Sequence, residues 1–262
     1  MPIALSDFTK VGFAIDAADA NALTRTTQAI MPNCRTAPLS DGLFVCLIRD
    51  ASGAELRVIL EKNPAGEARI VTMNPAFTGE GRTTVEIVAD VSDPDYKTTE
   101  VTLSAHFAGE QTPIVFDLAD PMDAATARPG TRLDVDIAAF GGDVQIFADE
   151  KAYCAAQHPS GQSPAFAPNF FVPSGMFFES KGGAMPDGVT RPVARADFAG
   201  TILAARLDTN TLGKGQFWNA TVKTYDDAVF DVMLDPRQVD AAPKPGEIIA
   251  GRFWLSAHLV PR

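Results

Sequence analysis

The sequence predicts a mainly β protein with an α+β amino-terminal part. Three observations carry this expectation. Short runs rich in Val, Ile, Thr and Phe recur between clusters of Gly, Pro, Asp and Asn. Two later stretches repeat one layout of such runs. Three- and four-residue apolar spacing, the mark of a helix, is read over Ala20 to Ile30 in the amino-terminal part.

In residues 1–78, an apolar stretch from Phe8 to Ile15 is followed by Asp16, an N-cap for a helix that repeats Ala20, Leu23, Thr27 and Ile30 and ends at Pro32. Three strands are expected next, Leu43 to Arg49, Glu55 to Glu61 and Ala68 to Met73, separated by Asp50-Ala51-Ser52-Gly53 and Asn63-Pro64-Ala65-Gly66. Polar and apolar residues alternate over Glu55 to Val58, which predicts one strand face in water and one on the helix.

The repeated layout begins at residue 79. In the first copy, within 79–158, Thr83 to Val91, Thr98 to Phe107 and Thr112 to Leu118 read as strands; in the second, within 196–262, Thr201 to Leu207, Phe217 to Thr224 and Ala228 to Leu234 hold the same order. Each third strand carries Val-Phe-Asp, at Val115-Phe116-Asp117 and Val229-Phe230-Asp231, and each then reaches Asp-Pro, at Asp120-Pro121 and Asp235-Pro236. Asp as N-cap followed by Pro at the first helical position starts a short helix, because the Asp carboxylate accepts from a free backbone N–H and Pro has none to leave unpaired. Pro129-Gly130 and Pro245-Gly246 then turn the chain into a fourth strand, Arg132 to Phe140 and Ile248 to Leu259. Between the copies, Asp149 to His158 has helical character. Residues 159–195 form an irregular connection whose Phe166, Phe170, Phe171, Phe177 and Phe178 should pin it to both modules, since large rings gain by leaving water.

Strand, strand, strand, short helix, strand resembles the oligonucleotide/oligosaccharide-binding (OB) barrel, with Asp143 to Phe147 as the closing fifth strand of the first copy. The resemblance implies tandem OB-like, partly closed barrels; a β-sandwich of the same strands is the alternative. The second copy lacks a fifth strand and would draw its missing edge from upstream or from another subunit. The layout is also similar to uncharacterised bacterial cytoplasmic proteins of a family of unknown function, through Gly53-Ala54-Glu55-Leu56 and Gly251-Arg252-Phe253-Trp254-Leu255-Ser256. That similarity implies no activity.

A formal charge of −11 opposes non-specific attraction to nucleic acid or anionic lipid. The acidity is concentrated in residues 79–150, with 4 basic against 15 acidic side chains, a surface suited to a basic protein partner. No apolar run is long enough to span a bilayer and no export signal is read at the start, so a cytoplasmic location is expected; the sequon at Asn219 then has no meaning. Three dispersed cysteines, Cys34, Cys46 and Cys154, argue against disulfides and for a reducing compartment.

Few residues suggest chemistry. Cys154 and His158 share a helical face, but two ligands do not make a metal site, and no metal or cofactor is expected. Gly79-Glu80-Gly81 and Gly213-Lys214-Gly215 read as hairpin turns in which glycine supplies positive φ. Asp117, Asp120, Asp231 and Asp235 recur as module features rather than as a catalytic pair. His106, His158 and His258 are the available acid–base groups for an enzyme whose site forms only on folding. Phe217-Trp218 and Phe253-Trp254, with Lys223 and Arg252 close in sequence, are the concentrated aromatic pairs. Because strand neighbours face opposite ways, one ring of each pair should enter the core and the other an interface. Phe217, Trp218, Lys223, Arg252 and Trp254 are therefore the candidate binding residues. The function expected is non-catalytic binding or assembly with a protein partner or with itself; single-stranded nucleic-acid binding and an unrecognised enzyme are the alternatives.

Overall fold

The computed structural model describes residues 6–14, 20–40, 42–63, 66–157, 166–177 and 191–260. The chain is mainly β, in two sheets. Among these residues no helix is long and apolar enough to cross a membrane. Asp16, His158 and Phe178, which entered the expectations above, lie outside the described residues, as does the side chain of Phe177.

Helix α1 (Ala20–Ile30) gives way to a 3-10 turn that contains Pro32. The first sheet is a four-stranded antiparallel meander of β1 (Arg35–Ser40), β2 (Leu43–Arg49), β3 (Ala54–Lys62) and β4 (Ala68–Phe77). Strand β1, in which only Ala37 and Leu39 are half-buried and Pro38 falls between them, escapes sequence reading; its proline is tolerable because β1 is an edge strand. Cys34 and Cys46 form a disulfide, contrary to the expectation from their number. The β1–β2 pairing brings them to a Cα separation of 5.5 Å, which a count of cysteines cannot foresee. A second correction concerns β3. Neither of its faces is in water: Glu55 and Arg57 are as buried as Leu56 and Val58.

The second sheet contains β5 (Arg82–Asp90), β6 (Thr102–Phe107), β7 (Pro113–Leu118), β8 (Arg132–Phe147), β9 (Phe171–Val172), β10 (Arg195–Asn210), β11 (Gly215–Lys223), β12 (Val229–Leu234) and β13 (Ile248–Leu259); helix α2 (Glu150–Gln157) follows β8. The expected separate fifth strand, Asp143 to Phe147, is the second half of β8, continuous through Gly141 and Gly142. Omitting the two-residue β9, the pairings close a ring of eight strands with β8 and β13 also paired across it.

These pairings obey a twofold exchange in which β5, β6, β7 and β8 correspond to β10, β11, β12 and β13. Within each copy the first strand pairs with the second and fourth, and the second with the third. Each third strand then runs parallel to the other copy's fourth: β7 beside β13, β12 beside β8. In the antiparallel β8–β13 pairing, the exchange maps the pair Ala138 and Ser256 onto itself. The edge missing from the second copy is thus supplied by the first, and the reverse.

Both Asp-Pro corners are built as N-caps. Asp120 accepts from the Met122 N–H at 3.0 Å and Asp235 from the Arg237 N–H at 2.9 Å, each ahead of a 3-10 helix with Pro in its first turn. Alternation on the strands sorts the side chains. Phe253, Leu255 and Ala257 of β13, with Val135, Ile137 and Ala139 of β8, enter a core fed by all eight strands, where Phe198 stacks on Phe253 at 4.0 Å. Phe171 joins this core from the connection, against Phe107 at 5.2 Å, whereas Phe166 stays exposed. The alternate residues of β8 and β13 face out, and there Ala138, Phe140, Phe217 and Met233 pack against Leu56, Val58 and Ile30 in a second core.

Candidate functional site

Outward-facing positions of β13 are Trp254, Ser256 and His258, at the two-residue period of a strand; the last of them reaches Glu55 of the first sheet. His258 Nε2 lies 3.1 Å from Glu55 Oε2, an ion-pair contact without hydrogen-bond alignment. The other Glu55 oxygen accepts from Arg49 Nε at 2.6 Å and from the Thr78 hydroxyl at 2.5 Å. Burial on its own would raise the Glu55 carboxyl. The neighbouring His258, with the Thr78 hydroxyl and Arg49, outweighs it and holds the group at about 2. Asp123 and Asp136, drawn into the same region, are instead raised, first by burial.

Arg57, two residues along β3, is 6% exposed. Its Nε and Nη2 have no hydrogen-bond partner among the described residues. Burial pulls this guanidinium below its ordinary value, against the opposing field of Asp120, Glu55 and Asp123.

Beside these groups opens a cleft of about 530 Å³, walled by Arg57, Ile59, Thr72 and Asn74 from the first sheet and by Asp117, Arg195, Trp254 and Ser256 from the second, with Glu100 and Asp7 also lining it. That volume falls within the range of small-molecule sites, and a few polar groups on partly apolar walls are their usual composition. Asp117 Oδ1 accepts from the Thr102 hydroxyl and Oδ2 from the Trp254 indole N–H, both at 2.6 Å. Burial raises its carboxyl, and these two donors only partly offset that.

The twofold exchange supplies an internal control. Asp231 is the counterpart of Asp117, and Thr221, its cross-strand neighbour, donates to it at 3.4 Å as Thr102 does to Asp117. Around Asp231 the β4–β5 connection closes in, donating the N–H groups of Glu80 and Gly81 to Oδ2 at 2.8 and 2.7 Å. A Cβ on Gly79 would stand 1.9 Å from that oxygen. The Gly79-Glu80-Gly81 segment therefore links two sheets rather than turning a hairpin. Its glycines permit close approach, and neither has positive φ. The Gly213-Lys214-Gly215 turn is a hairpin as expected, but the positive φ belongs to Lys214, while both glycines make room for Gly12 and Phe13. One of two equivalent carboxylates is thus tied down by the connection and borders a cavity of about 130 Å³, whereas the other opens on the cleft of about 530 Å³.

Of the five candidates from sequence, only Trp254 lines the cleft. Phe217 is fully buried against Phe77, and half-buried Trp218 packs on the main core. Exposed Lys223 is ion-paired with Asp227 at 3.1 Å and Arg252 with Asp197 at 3.1 Å. The rule that one ring faces in and the other out holds for Phe253 and Trp254; Phe217 and Trp218 go to two different cores. Arg57, Asp117 and Arg195 were not nominated as binding residues. The polar positions in β3 were the available signal for Arg57, while Arg195 carries none, because its role depends on the strand beside it. Among the described residues, the lining includes no histidine or cysteine, and no cluster of His, Cys, Asp and Glu is fit to hold a metal ion. No family model matches the sequence, and no curated protein matches it.

Proposed function

We propose that this chain is a non-catalytic binding protein that holds a small polar molecule in the cleft between its two sheets. The observation that carries the reading is buried Arg57, with two unpartnered nitrogens, in the lining of a cleft that is wide on one side of a twofold arrangement and reduced to a small cavity on the other. A buried cation lacking hydrogen bonds is costly, and such groups persist where they are used. The interleaved copies support an OB-like reading of each unit, with strands of one completing the other.

A thermal-shift screen of small polar compounds on the wild type and on Asn74→Trp, which fills the cleft, tests this. A true ligand at a hundredfold excess over its Kd should stabilise the wild type by about 2.7 kcal/mol. It should leave the variant unmoved. Equal stabilisation of both proteins would place binding elsewhere.

A further inference from the structure

Resting on that reading of the cleft, we infer that its ligand is a small organic carboxylate, with the negative charge met by Arg57 and Arg195. The argument begins with the charges on the walls. Each acidic group there is already committed: Asp7 to Lys10 at 2.5 Å, Glu100 to the Thr72 hydroxyl at 3.0 Å, and Asp117 to Thr102 and Trp254. Neither arginine is in an ion pair with any described residue, so the cleft holds two cations with no carboxylate at salt-bridge distance.

The twofold exchange explains how Arg195 comes to be uncommitted. Its counterpart is Arg82, which sits opposite Asp136 across β5 and β8 and reaches that carboxylate at 3.6 Å. At the matching place Arg195 sits opposite Trp254, which offers an indole where the other copy offers a carboxylate. Exchanging Asp for Trp at one position thus removes a counterion and adds an apolar wall. The result suits a molecule with an anionic end and a flat or apolar body, since guanidinium pairs well with carboxylate and an indole covers apolar surface.

A carboxylate fits better than a phosphate ester. Asp120, Glu55 and Asp123 already impose a negative field on Arg57, and Asp117 and Glu100 share the walls. The two guanidinium groups attract one added negative charge, whereas a dianion meets about twice the repulsion from the same carboxylates.

The test uses full-length Trp218→Phe protein, in which Trp254 is the single tryptophan and reports on the cleft. Benzoate, phenylacetate and indole-3-acetate are titrated beside their primary amides and beside phenyl phosphate, all at millimolar concentration. Each acid should change Trp254 emission saturably and bind at least about tenfold more tightly than its amide, the preference expected of a charge-assisted pair. Arg195→Met and Arg57→Met should each abolish that preference. Arg195 is exposed, so its variant keeps the test decisive should the buried Arg57 variant not fold.

Equal binding of acids and amides overturns the inference and leaves the cleft standing as a binding site. Tighter binding of phenyl phosphate than of any acid overturns the choice of carboxylate. No saturable response to any acid also overturns it, and the cleft reading then depends on the amides and on the Asn74→Trp comparison.

Discussion

Glu55 offers a quantitative test of the packing between the sheets. Its carboxyl, held at about 2 against a usual 4.5, binds fewer protons folded than unfolded throughout that interval. A depressed carboxyl stabilises the fold above its unfolded value, and the contribution is lost as pH falls through the folded one. That depression corresponds to about 3 kcal/mol, present near pH 5 and lost between roughly pH 5 and pH 2. The Glu55 side chain is fully buried, so solvent screening does not reduce this figure. Glu55→Gln should cost on the order of 3 kcal/mol near pH 5, because the amide loses the carboxylate's attraction for the groups packed around it. The informative quantity is how the gap between the two proteins changes. Asp117, Asp123, Asp136 and Asp231 are raised by burial and shift stability in the opposite sense on acidification, but both proteins contain them and they largely cancel. Urea unfolding followed by tryptophan emission at a series of pH values should therefore show the gap closing toward pH 2. Parallel loss of stability in the two proteins would refute the depressed carboxyl and the ion pair behind it.

Other outcomes follow from the same contacts. Asp117→Asn should remain within about 1 kcal/mol of wild type by chemical denaturation, because burial already disfavours the charge and an amide oxygen can still accept the indole N–H. Gly79→Ala should cost about 2 kcal/mol or more, since its Cβ would meet the Asp231 carboxylate; the midpoint of thermal unfolding reads this directly. Asp235→Ala should destabilise by about 2 kcal/mol and Asp120→Ala by about 1, for Asp235 is buried in a full capping box and Asp120 receives a single amide. Arg252→Ala, which removes an exposed pair with Asp197, should change stability by less than about 0.5 kcal/mol.

Local signals in the chain determined a good deal. Alternation, turn residues and the repeated Val-Phe-Asp and Asp-Pro sites suffice for the mainly β class, most strand positions, the duplicated order and both caps, because these features depend on neighbours a few residues away. The opposing sheet determined the rest. Glu55 and Arg57 look like a wetted strand face until His258 and the second sheet cover them, and burial is a property of what packs above a strand. Only the β1–β2 register joins Cys34 to Cys46, and only the exchange of third strands lets each copy complete the other. Trp254 was legible as a candidate from its aromatic character. Its partners Asp117 and Arg195 lie 137 and 59 residues away, and long-range strand pairing, which no local pattern encodes, decides that one arginine faces a carboxylate and its counterpart an indole.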